Sequence, residues 1–222
     1  MMETVNEDRR SWVRWVMVGG LVTLSVVMLA QSILGNDKNA RLARPTRVKI
    51  KSVLSGDKVK LKHHGRLIYA GIRAPFDGEP LFEQARRRNA ELVLNKEIRL
   101  RYDHAARDRN GRLIAYPFHD DAFISDILVR EGLAYVRLTT ATRLFADRLL
   151  DAQREAREGH RGVWEHISES TEESYAADPK YGNFHRPSCG EVRKIKAQRL
   201  VRFESKDAAL DAGYAPCNKC RP

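Results

Sequence analysis

The stretch that decides the fold is residues 47–72, RVKIKSVLSGDKVKLKHHGRLIYAGI. Val48, Ile50, Ser52 and Leu54 alternate with basic residues, and Val59 and Leu61 alternate with Lys58, Lys60 and Lys62. A period of two sends alternate side chains to opposite faces of a strand. Ser55-Gly56-Asp57 and His64-Gly65 have turn chemistry, and residues 67–72 read as a more buried strand. Strand, turn and strand therefore repeat at short spacing, with the cationic residues gathered on one face.

Working outward, residues 81–94 have helical spacing, with Leu81, Ala85, Ala90, Leu92 and Val93 apolar and Arg86, Arg87 and Arg88 facing water. Asn95 ends that helix. Residues 97–102 alternate again through Ile98, Leu100 and Tyr102. Arg107-Asp108-Arg109-Asn110-Gly111 predicts a hairpin turn on its Asn-Gly pair, and residues 113–118 predict the return strand. A short helix over 123–131 stops at Gly132. Another over 144–158 presents Leu144, Phe145, Leu149, Leu150 and Ala152 and stops at Gly159. Gly162-Val163-Trp164 closes the region. Three strands, a helix, two strands and two helices define a mainly β, α+β domain over 47–164: a five-stranded OB-type barrel with flanking helices.

The flanks are of other kinds. Residues 1–14 form a short polar tail. Residues 15–34, WVMVGGLVTLSVVMLAQSIL, contain no charged side chain. Twenty helical residues rise about 30 Å, the thickness of a bilayer core, so an N-terminal transmembrane helix is expected as a single-pass anchor. A cleaved signal peptide with an exit at Ala30-Gln31-Ser32 is the alternative. Arg9, Arg10 and Arg14 precede the segment and Lys38, Arg41, Arg44 and Arg47 follow it. The short tail is easily retained, which favours the bulk of the chain on the extracytoplasmic side. Residues 35–46 read as a basic linker, and residues 165–180, rich in Ser and Glu, as a flexible acidic one.

The net charge of +11 and the pI near 9.8 favour an anionic partner such as nucleic acid, acidic lipid or polyphosphate. A hydrophobic fraction of 42% excludes wholesale disorder. The three cysteines all fall near the C-terminal end, which argues against a disulfide framework. His185-x3-Cys189 and Cys217-x2-Cys220 are two close pairs separated by a loop, the arrangement of a closed four-coordinate zinc site. These four residues are the expected metal ligands of a small module over 181–222. A module of that size has no room for a self-sufficient core, so metal binding is expected to supply much of its folding energy.

VLSGDKVKL, GIRAP, DRNGRLIAY and LVREGLAYV, in that order, with the closing RGVW, resemble the landmarks of the staphylococcal nuclease (thermonuclease) family. The resemblance implies phosphodiester cleavage with one calcium ion: two aspartates on the metal, a glutamate acting on water, and two arginines on the phosphate. Asp57 matches the first metal-binding aspartate and Arg112 matches one arginine, so these two are the candidate catalytic residues. Lys58 replaces the neighbouring threonine, and Ile68 stands where the other arginine belongs. Arg73 replaces the second metal aspartate and Phe76 the catalytic glutamate. Calcium wants six to eight oxygens, so Ca²⁺ binding is not expected, and Arg73 is expected to pair with Asp57 in the metal's place. Asp77, Glu79 and Glu83 are the acids nearest the lost glutamate.

Residues 181–222, with the finish AGYAPCNKCRP, resemble the metal-binding domain of the Ada DNA-repair protein. In that family the first ligand is a cysteine that accepts a methyl group; here it is His185. Imidazole holds zinc but is not a thiolate nucleophile, so a structural or DNA-contacting role is expected. Arg186, Arg193, Lys194, Lys196, Arg199, Arg202 and Lys206 are candidate phosphate contacts. Tyr69, Tyr102 and Tyr116 are candidates for base stacking, with ordinary core positions as the alternative. Three functions follow: a membrane-tethered nucleic-acid-binding pseudoenzyme, an active metal-dependent nuclease with a rearranged carboxylate set, or a non-enzymatic interaction module at the membrane.

Overall fold

The structure is a computed structural model that describes residues 44–165, 172 and 174–222, within which residues 45–222 make one compact unit. The expected anchor, residues 15–34, lies outside the described residues. Among the described residues no helix is long and apolar enough to cross a membrane.

The opening alternation becomes β1 (Arg47–Ser55), β2 (Lys58–Leu61) and β3 (Arg66–Tyr69). Val48, Ile50, Val59 and Leu61 point inward; Arg47, Lys49, Lys51 and Lys60 point out. After β4 (Ile72–Arg73) and α1 (Phe82–Val93) come β5 (Glu97–Arg101), β6 (Leu113–His119) and β7 (Ala122–Phe123). Antiparallel pairing runs β3-β2-β1-β5-β6. Parallel pairing of β3 with β6, Leu67 opposite Leu113, closes the five strands into the expected barrel. Closure removes the open edges a short antiparallel sheet would otherwise expose.

Then follow α2 (Ile124–Arg130), β8 (Tyr135–Val136) and α3 (Ala146–Glu158). β8 pairs antiparallel with β4, setting Arg73 opposite Tyr135 and Ile72 opposite Val136. The barrel is filled by Val59, Leu67, Ile72, Ile98, Leu113, Leu128 and Leu149, all fully buried. Burying one such side chain stabilises by about 1.5–3 kcal/mol. Tyr69 and Tyr116 belong to this core, their hydroxyls donating to Asn89 (2.9 Å) and Asp103 (3.3 Å). Tyr102 donates to the Pro45 carbonyl at 2.8 Å. All three tyrosine hydroxyls are thus engaged within the fold, and Tyr69 and Tyr116 have no ring face open to a base.

The Asn110-Gly111 turn is smaller in scope than its sequence signal suggests. β5 and β6 pair only as far as Arg101 opposite Tyr116, and an isolated bridge joins Arg107 to Leu113. Asp103 diverts the chain between them. Its carboxylate accepts the N–H groups of His104, Arg143 and Leu144, tying this connection to the entry of α3.

The C-terminal module is a four-stranded sheet ordered β11-β9-β10-β12. Its strands are β9 (Tyr175–Asp178), β10 (Asn183–His185), β11 (Val201–Phe203) and β12 (Ala215–Pro216), with α4 (Lys206–Asp211) alongside. β9 lies in the segment read as a flexible linker. Its four residues are all buried, because Tyr175 and Ala177 sit in a second core with Phe184, Ala209, Leu210, Ala156 of α3 and Trp164. Two alanines beside a run of Ser and Glu gave too little apolar contrast to mark a strand.

That second core is shared, so the module leans on the barrel's closing helix. Gln153 of α3 joins the two parts. It accepts from the Val136 N–H at 2.8 Å and donates to the Leu210 carbonyl at 2.9 Å, fully out of water. Leu138 donates its N–H to the Gly213 carbonyl at 2.7 Å. A Cβ on Gly213 would lie 2.6 Å from the Leu138 side chain, so only glycine lets the chains approach this closely. Gln153→Met keeps the volume and strands two buried backbone groups. We expect a loss of about 1–3 kcal/mol for each orphaned group, read as a lower urea midpoint with an unchanged slope.

Candidate functional site

Asp57 sits in the β1–β2 turn, 1% exposed. A Cβ on the preceding Gly56 would lie 2.7 Å from the Ala74 Cβ and 2.9 Å from the Ala85 Cβ, so the turn is wedged against both. The Asp57 carboxylate accepts from the Ser55 hydroxyl at 2.7 Å and from the Lys58 ammonium at 2.9 Å. Its ion-pair partner is therefore Lys58. The expected Arg73–Asp57 pair does not form.

Arg73 is 3% exposed and turns instead to Glu79, donating from Nη1 at 3.1 Å. Glu79 also accepts the Phe76 N–H at 2.9 Å, because the Pro75–Gly78 turn folds it back. The Arg73 guanidinium lies over the rings of Phe76 and Tyr135, 5.0 and 4.9 Å from their centroids, and Lys58 lies 4.9 Å from Phe76. Phe76 thus puts an aromatic face against two cations. Ile68 is buried in β3, directly opposite Lys58 and Ile114.

Arg112 is held by Asp108, with Nε and Nη2 each 2.6 Å from Oδ2. Burial alone would raise the Asp108 carboxyl. The Arg112 guanidinium and the N–H groups of Arg112 and Asn110 outweigh burial and hold it below the ordinary carboxylate range.

Arg137, one residue past β8, is a site residue that sequence reasoning missed. Its N–H bonds the Gly71 carbonyl at 2.8 Å, and its Nε is buried without a partner. Burial pushes its pKa down; Asp57 opposes that, while Arg73 and Arg112 add to it. Arg137 therefore stands within electrostatic reach of all three. Its signal was a lone charge inside the apolar run 133–138. Across this site, Asp57 is paired with Lys58, Arg73 with Glu79 and Arg112 with Asp108, and Arg137 is within electrostatic reach of Asp57, Arg73 and Arg112.

On the barrel exterior, Lys60 stands opposite Ser52 in β1 and Arg66 in β3, and the Lys62 N–H bonds the Lys49 carbonyl. Arg47 is paired with Glu97 at 2.7 Å. Lys49, Lys51, Lys60, Lys62 and Arg66 have no carboxylate partner among the described residues, and together they form a cationic strip.

The span of residues 66–166 matches the family described as staphylococcal nuclease homologue. Arg73, Phe76 and Arg112 fall within it, and Asp57 precedes it. Among individual proteins, the chain is similar to the thermonuclease of Staphylococcus hyicus, 25% identical over 160 residues covering 67% of this chain and 94% of the relative. It is also similar to the thermonuclease of Staphylococcus intermedius, 26% identical over 152 residues covering 63% and 90%. Endonuclease YncB of Bacillus subtilis is 27% identical over 128 residues, covering 53% of this chain and 61% of the relative.

The second site gathers the four residues expected to bind metal. One ligand atom each from His185, Cys189, Cys217 and Cys220 lies within 4.8 Å of the others. His185 ends β10, and Cys189 follows in a turn closed by its N–H to the Arg186 carbonyl. Cys217 follows β12 and takes its N–H to the Phe184 carbonyl, which clamps the two ligand pairs together. The Lys219 N–H points at the Cys217 sulfur at 3.4 Å. Three sulfurs and an imidazole at this spacing suit a tetrahedral ion with bonds of about 2.3 Å to sulfur and about 2.0 Å to nitrogen. The donor set could hold a metal such as zinc. Burial pushes the Cys220 thiol up to about 12, so thiolate there needs a cation beside it.

Of the candidate phosphate contacts on this module, Arg199 is spent on Asp178 at 2.9 Å and Lys194 on Glu191 at 2.9 Å. Arg186 lies 3.7 Å from Glu172 and donates to the Arg221 carbonyl. Arg193, Lys196, Arg202 and Lys206 have no ion pair among the described residues. We expect one zinc ion per chain by elemental analysis, abolished in Cys217→Ser. Stripping it with a strong chelator lowers the melting temperature of the barrel as well as the module, because the two share a core.

Proposed function

We propose that this protein is a membrane-anchored, thermonuclease-like protein that grips nucleic acid through phosphate contacts and has lost the calcium site of its family. The observation that carries this reading is the charge of the site. Arg73 stands where a second metal carboxylate belongs, and the remaining carboxylate, Asp57, is paired with Lys58. A divalent cation would have to displace one ammonium and sit near up to three guanidinium groups, with far fewer oxygens than calcium requires. A phosphodiester meets the opposite situation: Arg112 and Arg137 supply fork-shaped donors. The strip of Lys49, Lys60, Lys62 and Arg66 offers a track for the backbone. The names of the relatives, thermonuclease and endonuclease, agree with a nucleic-acid ligand.

The competing reading is an active nuclease with a rearranged carboxylate set. Of the nearby acids, Glu79 is committed to Arg73 and the Phe76 N–H, and Glu83 to Arg86. Only Asp77, exposed on the turn, is left to serve water. The module of residues 181–222 fits a zinc clip related to the Ada metal-binding domain, with His185 in the acceptor position. The uncharged segment 15–34 supports a single-pass anchor with the bulk of the chain outside the cytoplasm.

A plasmid nicking assay tests the site. We expect no cleavage with calcium above that with chelator; calcium-dependent nicking lost in Asp57→Ala would sink the reading. A gel shift tests the ligand. Affinity falls steeply with salt, Lys60→Ala weakens binding of all sequences alike, and the salt slope drops by about 1.

A further inference from the structure

Between the barrel and the C-terminal module lies a cavity of about 430 Å³ that borders both sites, sharing Arg73 and Glu79 with the one and Cys217 with the other. Its volume falls within the ~300–1,000 Å³ range of ligand pockets. One wall is the barrel's Arg73, Pro75, Glu79, Pro80, Leu81 and Tyr135; α3's continuation supplies Val163 and Glu165. The other wall is the module's Lys206, Pro216, Cys217 and Arg221. The lining is therefore largely apolar, with cations entering from both sides.

These cations are incompletely answered by the protein. Glu79 takes Nη1 of Arg73, while Nε of the same group is buried with no partner. Lys206 is half-buried and has no carboxylate at ion-pair distance among the described residues. Burial and the nearby Arg186 push its ammonium down, against the pull of Asp207. Arg221, exposed at the mouth, has no ion pair among the described residues and holds a left-handed backbone (φ 44°), with its N–H on the Cys217 carbonyl. Glu79 is set against Arg73, while Lys206 and Arg221 have no ion pair among the described residues; Glu165 and the terminal Pro222 are the other lining residues that bring negative charge.

We propose that this cavity binds a phosphomonoester of mononucleotide size, its dianionic head between Arg73, Lys206 and Arg221 and its apolar body against Pro80, Leu81, Val163 and Pro216. A dianion answers several unpaired cations at once, and guanidinium is shaped for phosphate oxygens. Two sources present this chemistry: a free mononucleotide and the phosphorylated end of a strand. Either would bridge the two walls. The site shares Arg73 and Glu79 with the barrel site but none of the cationic strip, and it goes beyond the strand-binding reading above.

The test is calorimetry on the full-length chain with adenosine 5′-monophosphate, adenosine and inorganic phosphate. In parallel, competition is measured with a short oligonucleotide bearing or lacking a 5′-phosphate. We expect one equivalent of adenosine monophosphate to bind at least tenfold tighter than adenosine, and at least tenfold weakening in Lys206→Met and in Arg221→Met. Arg221 is exposed, so its variant separates ligand loss from misfolding, and melting temperatures of both variants are compared with the parent. A tenfold preference for the phosphorylated oligonucleotide, lost in Lys206→Met, with no binding of the free nucleotide, also upholds the site and assigns it to strand ends. No binding of either phosphomonoester at millimolar concentration overturns it, as does unchanged affinity in both variants. A duplex gel shift that persists while phosphomonoester binding is absent sinks the cavity alone. Phosphomonoester binding without any gel shift sinks the strand-binding reading alone.

Discussion

The structure depends on one shared core. Ala156 and Trp164 from the end of the barrel domain pack with Tyr175, Ala177, Phe184, Ala209 and Leu210 of the C-terminal module. A module of about 40 residues buries too little surface to stand alone. Here it borrows a helix and a tryptophan. Around that core the polar ties are short and buried: the Gln153 amide between Val136 and Leu210, and the Leu138 N–H on Gly213. Outside it, Arg157 reaches Asp207 and Asp211 of α4. The consequence is a single compact unit in which β8, the strand carrying Tyr135 towards Arg73 and leading into Arg137, is held from behind by the metal-binding module.

This mechanical arrangement bears on the chemistry of the barrel. Charges about 4 Å apart interact by about 4 kcal/mol at an effective dielectric of 20, so replacing a carboxylate by a guanidinium reverses a term of that size for any ion nearby. The fold does not leave the new cations loose. Lys58 is fixed by Asp57, and Arg73 by Glu79 and two aromatic rings; Arg112 is fixed by Asp108. Each of these three cations has an anchoring group of its own, and the side chains of Lys58, Arg73 and Phe76 fit one another: Phe76 touches both of the others.

How much of this was legible follows the range of each interaction. The barrel was legible because its alternation is local: Val48, Ile50, Val59 and Leu61 announce their face within a few residues. The clustering of His185, Cys189, Cys217 and Cys220 was legible because each pair is a short knuckle, and only the distance between pairs had to be bridged by the fold. Arg137 was hidden because its importance comes from Gly71 and Asp57, both remote in sequence. The choice of Glu79 over Asp57 by Arg73 turned on whether Lys58 would reach the same carboxylate first, a matter of side-chain geometry that spacing does not carry. β9 was hidden because Ala176 and Ala177 owe their burial to a partner helix.

The metal centre acquires a different meaning in this frame. Size alone suggested that metal binding folds the module. The shared core takes over part of that work, since β9, β10 and α4 pack against α3 and Trp164 without reference to the ligands. What the core does not reach is the loop from Cys217 to Arg221, tied back mainly by the Arg221 N–H on Cys217 and by Lys219 on Glu191. Burial holds the Cys220 thiol high, so without a cation beside it that thiol stays neutral. A metal bound by His185, Cys189, Cys217 and Cys220 converts that loop into a fixed wall. Cys217 and Arg221 both line the cavity between the two halves, so the ion's structural effect falls on the cavity's shape more than on the module's existence.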